Sequence, residues 1–130
     1  MHDFKFKNGE LCCENVKVSA IANKVGTPFY VYSYNTIADH FTKIQKAFAS
    51  LDPIICYAMK ANGNLAIIKS LIDLGAGIDI VSGGELKKTI FLGSAPANIA
   101  FFNSPPETIS IPAPRSNRER LTAKRMIRWA

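Results

Sequence analysis

Residues 54 to 59 form a continuous apolar run that ends at Lys60, and Asn62-Gly63-Asn64 follows almost at once. An apolar run of this length predicts a strand that is covered on both faces, as in a parallel sheet, while Asn-Gly-Asn predicts a turn before a helix. On residue type alone, a lysine at a strand end is most often a solvated surface charge. Its place after a buried strand makes Lys60 a candidate site residue instead.

The sequence after Lys60 alternates between helix and strand patterns. Residues 65 to 74 have apolar side chains at helical spacing, and Asn64 is a candidate cap for that helix. Residues 78 to 81 predict a second short strand, and residues 82 to 86 begin a second helix. Strands that alternate with helices predict an α/β fold with a parallel sheet.

The carboxyl ends of parallel strands hold the ligand sites of α/β sheets, so Lys60 and residues 79 to 84 should face the same pocket. Asp79 lies at the second strand, where it either contacts a bound group or is a solvated or lysine-paired carboxylate. Ser82 and Glu85 have the spacing of a capping box, in which each side chain accepts a hydrogen bond from the backbone amide of the other. We favour the capping interpretation for both.

Two segments of the chain carry a family resemblance. The first is Tyr57-Ala58-Met59-Lys60-Ala61-Asn62, and the second is Leu74-Gly75-Ala76-Gly77-Ile78-Asp79-Ile80-Val81-Ser82-Gly83-Gly84-Glu85-Leu86. Together they resemble the diaminopimelate decarboxylases. Alanine racemases and ornithine or arginine decarboxylases share the lysine, but the second segment is most similar to that of the diaminopimelate enzymes. The resemblance extends from about Phe4 to about Phe102.

The resemblance implies that pyridoxal 5'-phosphate is the cofactor and that Lys60 binds it covalently as the catalytic residue. It also implies that Asp79 lies near the lysine and the cofactor. Loss of carbon dioxide from an amino acid leaves a carbanion whose charge the conjugated cofactor disperses, so the protein mainly has to hold and orient the cofactor. The six apolar residues before Lys60 predict a buried amine, and burial increases the uncharged fraction that can react.

The fold that the resemblance implies is the N-terminal part of a pyridoxal-phosphate-binding (β/α)8 barrel of the TIM type. Residues 1–32 would form a hairpin of the family's second, β domain, followed by a helix and a strand. Residues 33–103 would form the first two to three barrel units, with a third strand at 98–102. Because a closed barrel needs about 250 residues, we expect this chain to be an inactive, truncated fragment of an enzyme of lysine biosynthesis that converts meso-diaminopimelate to L-lysine.

The N-terminal segment has patterns of secondary structure rather than of chemistry. Asn8-Gly9 lies between two short runs and predicts a hairpin, while Ser19 is a candidate cap for a helix that ends at Val25. Residues 29 to 32 predict a strand. A second helix is predicted from four apolar residues at helical spacing: Ile37, Phe41, Ile44 and Phe48.

The composition changes near Ser104. Four of the seven prolines lie between Pro105 and Pro114, and residues 105–130 carry six Lys or Arg against two Glu. This composition predicts a disordered tail over 104–130, and we expect truncation or a frameshift to be its cause. The basic run from Arg115 to Arg128 leaves nucleic-acid binding as an alternative, although no recognised motif accompanies it. A pyridoxal-phosphate-binding protein without catalysis is a further alternative.

The remaining composition argues against several other classes of function. Cys12, Cys13 and Cys56 form an odd set, and no metal-ligand spacing joins them to His2 or His40, so we expect no metal site and a reducing compartment. No run approaches the ~20 apolar residues of a membrane span, and we expect no leader segment. We therefore expect a cytoplasmic protein with a small amino-acid substrate, and the family resemblance implies a homodimer.

Overall fold

The structure is a computed structural model that describes residues 2–101 and the backbone of residues 126–129. The chain divides into two units, Met1–Lys43 and Ile44–Ala130. The first unit contains a three-stranded antiparallel sheet, and the second contains a four-stranded parallel sheet. The predicted α/β class with a parallel sheet is confirmed in the second unit.

The first unit begins with a hairpin. Strand β1 (Phe4–Lys7) pairs antiparallel with β2 (Glu10–Cys13), which also pairs with the short β3 (Val16–Lys17). Asn8 and Gly9 have φ angles of 52° and 80°, and a two-residue type I′ turn needs positive φ at both positions. The hairpin therefore lies where the Asn-Gly pair predicts it.

Helix α1 (Val18–Val25) starts without the predicted cap. Ser19 lies inside the helix, and its hydroxyl donates a hydrogen bond to Glu10 Oε1 at 3.3 Å. Lys17 occupies the capping position and makes no side-chain hydrogen bond there. The prediction for Ser19 was wrong because β3 runs directly into α1, so the chain enters the helix one residue before the serine.

Helix α2 (Tyr34–Ala47) is the second predicted helix. Phe41 of the predicted apolar stripe is buried, whereas Phe48 lies beyond the helix end and is exposed. The cap of α2 is Ser33, whose hydroxyl accepts a hydrogen bond from the backbone N–H of Thr36 at 3.0 Å. The apolar spacing thus predicted the helix and its buried centre, and it extended the stripe one turn too far.

The strand predicted at residues 29 to 32 is absent. No described strand pairs with these residues, and Tyr30 is 88% exposed. A strand requires a hydrogen-bonded neighbour, which a favourable local sequence does not by itself provide. Residues 29 to 32 have no regular secondary structure and lead into α2.

The second unit is a parallel sheet with connecting helices. Its strand order is β6-β5-β4-β7, where the strands are β4 (Ile54–Ala58), β5 (Gly77–Ile80), β6 (Ile99–Phe101) and β7 (Met126–Trp129). Helix α3 joins β4 to β5, and helix α4 joins β5 to β6; they span Leu65–Asp73 and Gly83–Phe91. Single 3-10 turns lie at Ala49–Leu51, Met59–Ala61 and Pro96–Asn98.

The predicted elements of this unit are present, with ends shifted by one or two residues. Asn64 caps α3 as predicted, since its Oδ1 accepts hydrogen bonds from the backbone N–H groups of Ala66 at 2.9 Å and Ile67 at 3.4 Å. The strand predicted at 98–102 is β6, although residue 102 lies outside the described chain. The local apolar pattern and the helix-capping residues therefore predicted the position of each strand and of the helix that follows it.

Successive side chains of a strand point to opposite faces of the sheet, and the two faces of this parallel sheet carry side chains of different size. Residues that are register partners in adjacent parallel strands share a face, and Cys56 pairs with Gly77 while Ala58 pairs with Asp79. Ala100 of β6 is the partner of Asp79 on its other side. We call this set the small-residue face: Cys56, Ala58, Gly77, Asp79 and Ala100. The intervening positions carry larger apolar side chains, among them Ile55, Tyr57, Ile78 and Ile80.

Most of the predicted tail lies outside the described residues. This applies to the predicted disorder and frameshift over 104–130 and to the basic run Arg115 to Arg128, except for the four residues of β7. The backbone of β7 pairs parallel with β4, so a strand occupies four positions of that segment. Within residues 2–101 and 126–129, no helix is long and apolar enough to cross a membrane, and no cluster of three His, Cys, Asp or Glu could hold a metal ion.

Candidate active site

Lys60 lies in the 3-10 turn Met59–Ala61, directly after β4. The buried residues continue through the strand to Met59, and the side chain of Lys60 is exposed. The prediction of a buried amine was wrong because the strand ends at Ala58 and the chain turns at Met59–Ala61, where the side chain of Met59 is still buried but that of Lys60 is exposed. The structure instead presents an accessible amine at the carboxyl edge of the sheet.

Asn62 connects the Lys60 turn to the elements on either side. The hydroxyl of Tyr57, in β4, donates a hydrogen bond to the backbone carbonyl of Asn62 at 3.3 Å. The side-chain Oδ1 of Asn62 accepts a hydrogen bond from the backbone N–H of Asn64 at 3.0 Å, and Asn64 caps α3. Hydrogen bonds therefore hold the segment after Lys60 to the strand and to the helix. Neither hydrogen bond was predicted from the sequence, in which Asn62 was only part of a predicted turn.

Asp79 lies on the strand beside the Lys60 strand. Its Cα is the register partner of Ala58, two residues before Lys60, and its side chain is 2% exposed. The alternative of a solvated carboxylate is therefore wrong. The topology brings the backbone of Asp79 and the end of β4 together at the same edge of the sheet.

Ser82 and Glu85 are engaged at the start of α4. Ser82 Oγ accepts a hydrogen bond from the backbone N–H of Glu85 at 3.2 Å, as the capping box predicts. The carboxylate of Glu85 accepts from the backbone N–H of Val81 at 2.7 Å, where the capping box predicts the amide of Ser82. The difference arises because β5 ends at Ile80, so the amide of Val81 lies outside the strand ladder. Both side chains stabilise the β5–α4 connection.

The segment after the Lys60 turn and the first turn of α4 leave space beside the backbone. A Cβ atom added at Gly84 would meet only Ser82 Oγ, at 3.9 Å, and one added at Gly63 would meet no heavy atom within 4 Å. Backbone without side chains permits close approach of a bound group. An accessible amine beside open backbone at Gly63 and Gly84 fits a cofactor that carries an aldehyde and a phosphate.

Cys56 lies on the small-residue face, below the edge that carries Lys60. Its side chain is fully buried, and this burial, with the Asp79 carboxylate as the second cause, raises the pKa of Cys56 to about 11. The thiol is therefore neutral at pH 7, and a neutral thiol is a poor nucleophile. Cys56 fills space in the sheet rather than contributing a reactive group.

The raised pKa of Cys56 predicts a loss of stability at alkaline pH. The ordinary value is 9.0, so as the pH rises the unfolded chain loses this proton before the folded chain does. The stabilisation is complete below that value and is lost as the pH rises toward 11. We expect the free energy of unfolding in urea to fall by on the order of 1 kcal/mol more in the wild type than in Cys56→Ala between about pH 8 and about pH 10. Equal slopes for the two proteins would contradict this assignment.

Fold and site together define an α/β domain with an exposed lysine at the end of a parallel strand, the edge at which such sheets hold their ligand sites. Residues 34–113 match the family model described as the pyridoxal binding domain of pyridoxal-dependent decarboxylases. The chain belongs to this family.

The chain is similar to several diaminopimelate decarboxylases. The enzyme of Neisseria meningitidis serogroup B is 50% identical over 91 residues, which cover 70% of this chain and 22% of the relative. The Aquifex aeolicus enzyme is 46% identical over 97 residues, which cover 75% of this chain and 23% of the relative. A crystal structure of the M. jannaschii enzyme in complex with L-lysine has a TM-score of 0.72 and 34% identity, and the match covers 78% and 25% of the two chains. This chain therefore spans about a quarter of the length of these relatives.

These comparisons confirm the resemblance that was read from Tyr57–Asn62 and Leu74–Leu86. They also confirm pyridoxal as the cofactor of the family to which the chain belongs. The individual roles of Lys60 and Asp79 stay predictions. The structure places both residues at the carboxyl edge of the parallel sheet.

Proposed function

We propose that this chain is part of a diaminopimelate decarboxylase and that Lys60 binds pyridoxal 5'-phosphate covalently. The observation that carries the proposal is the exposed primary amine placed directly after a buried parallel strand, inside the segment that matches the pyridoxal binding family. When bound, the cofactor disperses the negative charge left by the loss of carbon dioxide. The part of Lys60 is to supply the nucleophilic nitrogen and to hold the cofactor at the sheet edge.

The substrate that we propose for the whole enzyme is meso-diaminopimelate, with L-lysine as the product. Support comes from the names of the relatives and from the lysine bound to the M. jannaschii enzyme. We infer no catalysis by the 130-residue chain alone, because its described parallel sheet has four strands whereas the barrel has eight. Binding of the cofactor without catalysis is therefore the behaviour expected of the isolated chain.

We assign Asp79 a place beside the bound cofactor. Its support is its burial at the strand adjacent to β4 and its register with Ala58, two residues before Lys60. A buried carboxylate favours positive charge on a neighbouring group. Asp79 would therefore stabilise a protonated nitrogen at the site.

The parallel pairing of β4 with β5 and of β5 with β6, in chain order, supports the proposal that residues 33–103 begin a (β/α)8 barrel. The division into 1–32, 33–103 and 104–130, the place of the β1–β2 hairpin in a second β domain, and a homodimer are proposed from the family resemblance. A reducing compartment such as the cytoplasm is supported by the three free, buried cysteines, Cys12, Cys13 and Cys56.

Borohydride reduction tests the proposal directly. After incubation of the wild-type chain with pyridoxal phosphate, reduction and proteolysis, we expect the added mass on the peptide that contains Lys60. Lys69 is a matched internal control, since it is also exposed but forms an ion pair with Asp73 on α3. A separate sample of the intact, unreduced chain with pyridoxal phosphate should release no carbon dioxide from meso-diaminopimelate above background. Label spread equally over Lys60 and Lys69 would reject the assignment of Lys60.

A further inference from the structure

We propose that Tyr57 is a positioning residue for the Lys60 amine and that it acts through the backbone of Asn62. The inference rests on the proposed role of Lys60. Tyr57 belongs to β4 and is 7% exposed, yet its hydroxyl reaches past the end of the strand to the carbonyl oxygen of Asn62, at 3.3 Å. The side chain therefore spans the turn that carries Lys60.

The turn needs such a contact because it is short. Met59–Ala61 is a single 3-10 turn, and short 3-10 segments have weaker hydrogen-bond geometry than an α-helix. The lysine side chain is long and exposed, so the direction in which it leaves the backbone is set by this turn. Misplacing a reacting group by about 1 Å can cost about 100-fold in rate. A contact that fixes the turn therefore affects chemistry at Lys60 without touching the cofactor.

Asn62, which directly follows the turn, is held by two separate hydrogen bonds. Tyr57 holds Asn62 to the strand, and the backbone N–H of Asn64 holds the side chain of Asn62 to the start of α3. Removing the tyrosine hydroxyl leaves the second bond and the cap of α3 in place. Tyr57→Phe should therefore loosen the turn while the helix and the strand stay folded.

The presence of tyrosine rather than phenylalanine at position 57 is the second observation in favour of this role, because the strand around it is buried. The neighbouring strand residues Cys56 and Ala58 are buried as well. A buried tyrosine hydroxyl needs a hydrogen-bond partner, and a phenylalanine would fill the same space without one. The choice of tyrosine at this position is explained by the bond to Asn62.

The test compares Tyr57→Phe with Tyr30→Phe, which removes a hydroxyl from a side chain that is 88% exposed. The first measurement is hydrogen–deuterium exchange of the peptide covering residues 59–64 without pyridoxal phosphate. Loss of one net hydrogen bond corresponds to about a fivefold change in an opening equilibrium. We expect exchange in this peptide to rise about fivefold in Tyr57→Phe and to be unchanged in Tyr30→Phe.

The second measurement is the concentration of pyridoxal phosphate that gives half-maximal borohydride-fixed label on Lys60. We expect it to rise by about fivefold in Tyr57→Phe, under conditions in which urea unfolding shows all three proteins to be fully folded. If wild-type and Tyr57→Phe proteins exchange and label alike, the inference is overturned and the role of Lys60 stands. Faster exchange spread equally over β4 and α3 would also overturn it, because general loosening is not positioning. A wild-type chain without label on Lys60 would overturn the proposed function, and this inference with it.

Discussion

Lys60→Arg abolishes the borohydride-fixed incorporation of pyridoxal phosphate at residue 60, with a loss of at least about 100-fold expected in the mapped peptide. Arginine keeps the positive charge and much of the length of lysine. Its guanidinium stays protonated in proteins, so it offers no free amine to the aldehyde. The substitution therefore separates the nucleophilic nitrogen from the charge that could attract the phosphate.

The matched control is Lys69→Arg, which changes another exposed lysine nine residues further along the chain. Lys69 lies on α3 and forms an ion pair with Asp73 that arginine can also make. We expect label on Lys60 to be unchanged in this control. Because the side chain of Lys60 is exposed, Lys60→Arg should change the free energy of unfolding by no more than about 0.5 kcal/mol. Total label at the wild-type level in Lys60→Arg would show that the site lies elsewhere.

The parts of the fold that the sequence predicted correctly depend on contacts between residues close along the chain. Asn64 and Ser82 cap the helices that they precede, and Asn8-Gly9 turns the hairpin. Caps and tight turns involve hydrogen bonds over a few residues, so residue type and spacing contain the necessary information. The apolar run ending at Lys60 also predicted a buried parallel strand, because strands covered on both faces lack polar alternation.

The predictions that were wrong concern contacts between residues that are distant along the chain, or the direction in which a turn leaves a strand. Residues 29 to 32 have strand composition and lack a described partner, while β7 pairs with β4 from more than sixty positions away. Burial ends within the 3-10 turn, between Met59 and Lys60, and the apolar run does not predict where a turn directs the next side chain. Tyr57 did carry a signal that was missed, since a hydroxyl within a buried strand implies a hydrogen-bond partner.

Gly77→Ala should lower the free energy of unfolding by about 1–3 kcal/mol. A Cβ atom at this position would lie 2.7 Å from Cys56 Sγ, 2.9 Å from Ile54 Cγ2 and 3.0 Å from the backbone oxygen of Asn98. The first two distances are well inside van der Waals contact, and Cys56 is fully buried with little room to move. Glycine is therefore required here by the close approach of β4 to β5 rather than by a special backbone conformation.

The requirement for glycine at position 77 is measured by comparing the free energies of unfolding in urea of Gly77→Ala and Gly63→Ala. Gly63→Ala is the control, since a Cβ atom at Gly63 meets no heavy atom within 4 Å. We expect Gly63→Ala to stay within about 0.5 kcal/mol of wild type. Adding Cys56→Ala to Gly77→Ala should recover part of the loss, because it removes the sulfur but leaves Ile54 and the backbone of Asn98 in place. A double-mutant cycle without such coupling would contradict the packing argument. Since Asp79 follows Gly77 by two residues on the same face, strands forced apart at this point would also displace the carboxylate that we place beside the cofactor.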